Sequence, residues 1–417
     1  MSHFDRASAR AARGLSQVTG AALGPYQSAV VRIGFAATWL FFLLREIPHR
    51  HELYGPDGPW SWDMAELLIA NNHAFTALMW SDSHGWFETV YVLAIVSSAL
   101  LLLGWRTRTM SVLFMIGVLS LQNRSVFMGD GGDNVIHLMA IYLVLTRCGQ
   151  VWSLDARRAA RRAAREAEQE AGQEAPVPPV RDRVGPALWS VLGVVLLAVT
   201  VTDRLGGKLW LALLFWGLWI AQGLWWAVCR YRPYGQGRIL LDVIANLVHN
   251  AALFVIMAEA CLIYATAGWY KVQGSRWQDG TAVYYPLHLD YFSPWPALSE
   301  LLVANGTLLL LVTYGTVITQ VAFPFTLFNR RVKNVLLVAM MTEHAVIAIV
   351  LGLPFFSLAM IAADAVFLPT SFLKKVGARV SRVRGRLLAR TRLPRQRGED
   401  EQHEPEEAEH AHVGFTP

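Results

Sequence analysis

Three basic side chains in apolar surroundings carry the chemistry that this sequence could support. Residues 267–285 read AGWYKVQGSRWQDGTAVYY, so a long apolar run ends on Lys271 and passes into a loop of Arg, Trp, Gln, Asp and Tyr. His137 lies in NVIHLMAIYLVL and His344 in EHAVIAIVLGLPFF. A lysine amine or an imidazole shielded from water is a candidate general base. Helical spacing supplies companions for each. Asp133, four residues before His137, shares its face. Tyr264 and Gly268, seven and three residues before Lys271, share the lysine's face, and Glu343 adjoins His344. Lys271, His137 and His344 are thus the candidate catalytic groups, with Asp133, Asn134 and Glu343 as candidates to hold a polar substrate.

Each residue also has a plainer role. A lysine at the end of an apolar helix commonly extends its ammonium to the membrane interface. A single histidine in such a helix often only hydrogen-bonds a neighbour. Asn246, His249, Asn250 and Glu259 read as polar contacts between helices, and the aspartates of MGDGGDN (128–134) as solvated turn residues.

The elements that must position these groups follow from composition. Of 417 residues, 54% are hydrophobic and only 16% charged, against roughly 25% in an average soluble domain. Apolar runs of about 20 residues, enough to cross a bilayer, alternate with short basic clusters. The fold expected is an all-α integral membrane bundle, multi-pass, with about ten transmembrane helices (eight to ten). The apolar segments are 27–47, 88–104, 108–128, 133–148, 186–203, 208–229, 240–270, 301–327, 333–352 and 354–371, the last two readable instead as a re-entrant hairpin. With a cytoplasmic N-terminus, every strongly basic loop falls inside: Arg106 and Arg108, DARRAARRAAR, CRYRPYGQGR, NRRVK and KKVGARVSRVRGR. This is the asymmetry that orients membrane proteins, and it places both termini in the cytoplasm of a cell-membrane protein. Lys271, His137 and His344 then fall toward the outer leaflet, beside the loops at 48–86, 128–134 and 352–356. Ionisable groups at such depth tend to face a bundle interior or a watery cavity.

The remaining segments divide accordingly. Residues 1–25 form a cytoplasmic N-terminal segment without the apolar core of a removable signal, and 26–371 the transmembrane domain. Within it, 152–185 is a charged, then Pro-rich cytoplasmic loop, read as a solvated helix and a linker. The tail 372–417 passes from basic to acidic and reads as disordered. Cys148, Cys229 and Cys261 have no metal-site spacing. His403, His410 and His412 read as a solvated tail, so no metal is expected. The net charge of +6 is what membrane topology demands, and no nucleic-acid partner is inferred; the lipid bilayer is the first partner.

Three stretches, GDGGDNVIHLMAIYLVL, AGWYKVQGSRWQDGTAVYY and EHAVIAIVLGLPFFSLAMIAADAVFLP, resemble in order the segments of the HTTM domain. These are bacterial membrane proteins related to the vitamin K-dependent gamma-carboxylase. The similarity extends from about residue 22 to 370. The resemblance implies that Lys271 is the active-site base, acting with a reduced vitamin K or menaquinone hydroquinone. In that chemistry a strong base removes a proton from the gamma carbon of a glutamate and carbon dioxide adds to the carbanion. Tyr264, Trp269 and Trp277 are then the candidates to contact the quinone ring. A histidine that follows an asparagine in the family has its nearest match in His137, three residues after Asn134 rather than adjacent. His344 matches a histidine of the third segment. The family's larger members continue into a lumenal substrate-binding domain, whereas here the segment after the last span is expected to be a cytoplasmic tail. The alternative implied is a non-catalytic maturation or export factor for a secreted peptide of the sporulation-delaying-toxin type. A transporter gains no support, because no internal repeat is visible.

Overall fold

The computed structural model describes residues 3–170 and 182–400, and among these no strand occurs. The helices are α1 His3–Gly20, α2 Pro25–Arg45, α3 Arg50–Tyr54, α4 Trp62–Asn72, α5 His84–Leu103, α6 Thr107–Arg124, α7 Gly131–Leu145, α8 Leu154–Glu170, α9 Val184–Val201, α10 Leu209–Tyr231, α11 Gln236–Gln273, α12 Ser275–Gln278, α13 Pro296–Val303, α14 Gly306–Ala322, α15 Arg330–Val350, α16 Pro354–Asp364 and α17 Thr370–Asp400.

Seven of them (α2, α5, α9, α10, α11, α14 with its short extension, and α15) are long and apolar enough to cross a membrane, or eight if the broken pair Pro354–Phe367 and Thr370–Leu387 counts as one. The sequence reading of ten therefore needs correction, and three elements account for it. α7 has 15 residues, about 22 Å at 1.5 Å per residue, against a hydrocarbon core of roughly 30 Å. α6 carries both Arg108 and Arg124 and falls short on apolarity. The segment 354–371 holds only the 11 residues of α16 and a short 3-10 turn before the helix breaks, too short to cross by itself.

The core of the first compact unit, residues 1–368, is built around α2. This helix buries a broad face, on which Val31, Phe35, Trp39 and Leu43 are all 0% exposed, while Phe41 and Leu44 stay exposed on the other side. α5, α7 and α16 pack about it, α6 packs on α5 and α7, and α11 and α15 complete the cluster through Ile256, Tyr264, Leu337 and Met340. α1 is tied to α11 by side chains rather than by an apolar face. Asn246 and Asn250 donate to the carbonyls of Thr19 (2.9 Å), Val18 (2.9 Å) and Ala21 (3.0 Å), and His249 Nε2 bonds Leu23 O at 2.8 Å. These contacts satisfy carbonyls that every helix C-terminus leaves open.

α9 and α10 form a pair of their own. Trp189 and Trp219 stack at 4.0 Å, and each indole N–H donates to the other's carbonyl, at 3.0 and 2.9 Å. Their outer faces are exposed and apolar, with Val191, Val194, Leu197, Leu213 and Ile220 all uncovered. The basic stretch at 154–170 is the exposed helix α8, and the Pro-rich linker that follows lies outside the described residues. The second unit begins at Pro369. It is helical from Thr370 to Asp400 where composition had read as disordered, in keeping with the good helix propensity of its Arg, Lys and Leu. His403, His410 and His412 lie outside the described residues.

Candidate functional site

The site grows from a close approach of α11 and α14. A Cβ added to Gly268 would stand 2.7 Å from Val321 Cγ2 and 3.3 Å from its backbone nitrogen, so only glycine lets the two helices come this near. One turn on, Lys271 Nζ donates to Gln320 Oε1 at 2.7 Å, and Gln320 Nε2 donates to Glu343 Oε1 at 2.8 Å. Gln320 is 5% exposed. Its amide presents oxygen to the ammonium and nitrogen to the carboxylate, the one orientation that satisfies both neighbours. Lys271 and Glu343 form no direct ion pair. The Trp277 ring, on the short helix α12 within the loop past α11, lies 5.2 Å from Nζ, within the range of a cation–π contact. Farther along that loop, the Thr281 hydroxyl holds the Asp279 carboxyl below its ordinary range, helped by the Thr281 amide.

A second polar group lies deeper on the same helices. Tyr264 (1% exposed) and His344 (2%) meet through the phenol oxygen and Nε2 at 3.1 Å. Asp364 of α16, fully buried, is within electrostatic reach of the Tyr264 hydroxyl, but neither carboxylate oxygen closes a hydrogen bond, and His344 Nδ1 has no partner either. Buried polar atoms left unpaired are uncommon and costly, which marks this cluster as a place where a ligand group or a proton could be accommodated.

The structure thus brings together four of the sequence-predicted residues, Lys271, Tyr264, Glu343 and His344, with Trp277 over the lysine. It places the others elsewhere. His137 Nδ1 bonds Gln122 Oε1 at 3.0 Å, and Gln122 Nε2 donates to the Asp133 carbonyl. The Asp133 carboxylate accepts from Asp130 N at 2.9 Å while Asp130 accepts from the Gly132 and Asp133 amides; this reciprocal cap starts α7. Asn134 is exposed. Phe356 stands between the two groups, its backbone against Gly132 and its ring 5.5 Å from that of His344, and among the described residues no hydrogen bond links His137 to the Lys271 cluster. Trp269 is 62% exposed.

Two residues of the cluster escaped the sequence reading, Gln320 and Asp364. Asp364 had a signal, since a carboxylate in the apolar run MIAADAVF is costly there. Gln320, neutral and single in TVITQVAF, gave little. No protein-family model matches the chain, and no curated protein and no solved structure matches it either.

Gly268→Ala is expected to destabilise the fold by about 1–3 kcal/mol, the usual cost of overpacking, despite the helix propensity that alanine adds. Gly315→Ala on α14, where a new Cβ meets nothing within 4 Å, should be neutral or stabilising. Thermal unfolding of the two variants in detergent separates these outcomes; equal stability would show that α11 and α14 are free to part at Gly268.

Proposed function

We propose that this chain is a multi-pass cell-membrane protein of the HTTM type, both termini cytoplasmic, with carboxylase-like modification chemistry at an outward-facing site. Lys271 is the base and a secreted peptide or precursor protein the substrate. The observation that carries this reading is the environment of the Lys271 amine. Its countercharge, Glu343, is held one amide away rather than in contact. The amine makes one hydrogen bond where an ammonium can make three, so it is balanced electrostatically without being locked into an ion pair. Its other side faces the Trp277 ring.

The same residues fit a reduced quinone, vitamin K or menaquinone hydroquinone, as co-substrate. Trp277 offers an aromatic face beside the base, and His344 Nδ1 and the Asp364 oxygens remain to pair with polar atoms. Bound there, a hydroquinone would supply the reducing equivalents for activating dioxygen. Lys271 would hold or release a proton at Nζ, while Gln320 and Glu343 keep that amine aimed and its charge offset.

A second reading has one observation in its favour. Lys271, Gln320 and Glu343 also satisfy one another, as polar residues do when they only hold helices together. On that reading the chain is a non-catalytic maturation or export factor for a secreted peptide. Native mass spectrometry of protein extracted gently from its own membrane, wild type beside Lys271→Ala, decides between them. A co-purifying quinone whose occupancy falls in the variant is the expected result. An empty site, or a bound peptide indifferent to the lysine, would overturn the enzymatic reading in favour of the second.

A further inference from the structure

Away from the lysine site, a cleft of about 430 Å³ lies between α5 and α6 on one side and the Trp-clasped pair α9 and α10 on the other. That volume falls in the ~300–1,000 Å³ range of small-molecule sites. Its walls are almost wholly apolar along most of the length, with Val90, Ile116, Leu192, Val195 and Phe215 facing one another. Along α6 it runs from Arg108 to Gly117, roughly 14 Å at the rise of an α-helix. The polar groups collect at the Arg108 end, where Arg106, Thr109 and Gln222 also line it.

The charges at that end are unevenly satisfied. Arg106 is paired with Asp182. Arg147 and Arg238 share Asp242, at 3.1 and 2.7 Å, and Arg147 also donates to Asn246 Oδ1. Arg108 sits among them with its guanidinium 3.6 Å from the Trp225 ring centroid, and Trp225 also lies under Arg238 at 4.8 Å. Among the described residues the Arg108 side chain forms no hydrogen bond and no ion pair, and Asp242, the acidic group acting on it, is already taken by two other arginines. A half-buried arginine with a rigid fork of donors and no acceptor is a site for an oxyanion. An apolar cleft that ends on such an arginine, with further positive charge behind it, matches an amphiphile with an anionic head and hydrocarbon tails. It lies at the end of α6 where the basic loops cluster, the leaflet in which anionic lipids are recognised by basic pockets between helices.

We propose that this cleft binds one anionic phospholipid, the phosphate on Arg108 and an acyl chain between α6 and the α9–α10 pair. The inference rests on the membrane-spanning part of the function proposed above and is independent of Lys271. It explains why α9 and α10 hold to each other through Trp189 and Trp219 while leaving a gap against α5 and α6: the lipid chain fills that gap.

The full chain, purified in detergent, is given equal amounts of dioleoyl phosphatidylglycerol and dioleoyl phosphatidylcholine, and native mass spectrometry counts what each molecule retains. Wild type should keep phosphatidylglycerol at about tenfold higher occupancy, because both lipids offer a phosphate to Arg108 but the choline cation of the second is repelled by the neighbouring Arg147 and Arg238. Arg108→Gln should abolish that preference, and Leu192→Trp, which fills the cleft, should reduce retention of both lipids. Equal retention of the two lipids by wild type would overturn the proposal, as would an Arg108→Gln protein that still prefers phosphatidylglycerol. Loss of preference in Arg108→Gln with undiminished retention in Leu192→Trp would mean a phosphate site without a chain site, and also overturns it. Should Arg108→Gln fail to fold, the wild-type preference and Leu192→Trp decide alone. Alkaline carbonate extraction of native membranes tests the underlying reading separately. A chain that stays in the membrane but shows no lipid preference removes only the cleft proposal, whereas a chain that is released removes the membrane reading itself.

Discussion

Lys271→Met is expected to lower the rate of proton abstraction by about 10²–10⁴-fold, the range a positioned general base contributes. Methionine matches lysine in length and keeps the stem packed where α11 meets α14, so the loss would fall on the amine. The cost to stability is smaller, because Gln320 Oε1 loses its donor and Glu343 its countercharge, on the order of 1–3 kcal/mol for such groups. Lys271→Arg separates chemistry from architecture. A guanidinium keeps the positive charge and can still donate to Gln320, but it does not give up its proton. If the lysine is a base, the arginine protein should fold with near wild-type stability and be as inactive as the methionine one. The readout is deuterium exchange at the gamma carbon of a glutamyl peptide, in proteoliposomes supplied with reduced menaquinone and oxygen. An arginine variant that exchanges at the wild-type rate would leave Lys271 an anchor and favour the maturation-factor reading.

The same residues show how far sequence reasoning reached. The lysine was legible because a charge at the end of an apolar helix has few neighbours in kind, and because Tyr264 and Gly268 fall at helical spacing from it. The structure gives that spacing its content. Gly268 sets the approach of α11 and α14, and Tyr264 turns inward to His344. Partners across the bundle were not legible. Gln320 lies 49 residues from Lys271 along the chain and is uncharged, so neither periodicity nor composition singles it out. The placing of His137 toward the same leaflet rested on depth alone. Depth leaves the rotation of α7 undetermined, and Phe356 packs between that helix and His344. The excess in the count of spans has a similar source. Apolar runs register α6 and α7 as crossings, whereas one carries two arginines and the other is short.

Arg32 shows the same blindness and carries the second large expected effect. It is a charge in the first apolar segment that the pattern of runs passes over, yet it is 0% exposed at the centre of the bundle. Its guanidinium donates to Leu101 O at 2.6 Å and Leu102 O at 3.1 Å, at the C-terminus of α5, and to Trp152 O at 2.8 Å. Those carbonyls lie at a helix end that carries partial negative charge, so the cation is held mainly by carbonyls, with Asp155 acting on it at a distance and Nε left unpaired. Arg32→Met removes all three donors and leaves the acceptors buried, which should cost about 3–5 kcal/mol, the scale of breaking a buried charged contact. Arg32→Lys should recover part of this, since a single ammonium can reach some of the carbonyls but lacks the fork that spans α5 and Trp152. The expected result in detergent is a fall in melting temperature of roughly 3–6 °C for the methionine variant, the scale set by the unfolding entropy of a chain this long, with the lysine variant in between. A fall under about 2 °C would mean that the end of α5 and the Trp152 turn hold together without the clamp. The consequence extends toward the lysine site. α2 meets α16 where Gly34 lies against Ala362, and α16 carries Phe356 and Asp364. If Arg32 fixes α2 to α5, its loss should loosen the platform on which His344 and Tyr264 are set, so lysine-dependent activity should fall in Arg32→Met even though the substitution touches no residue of the site.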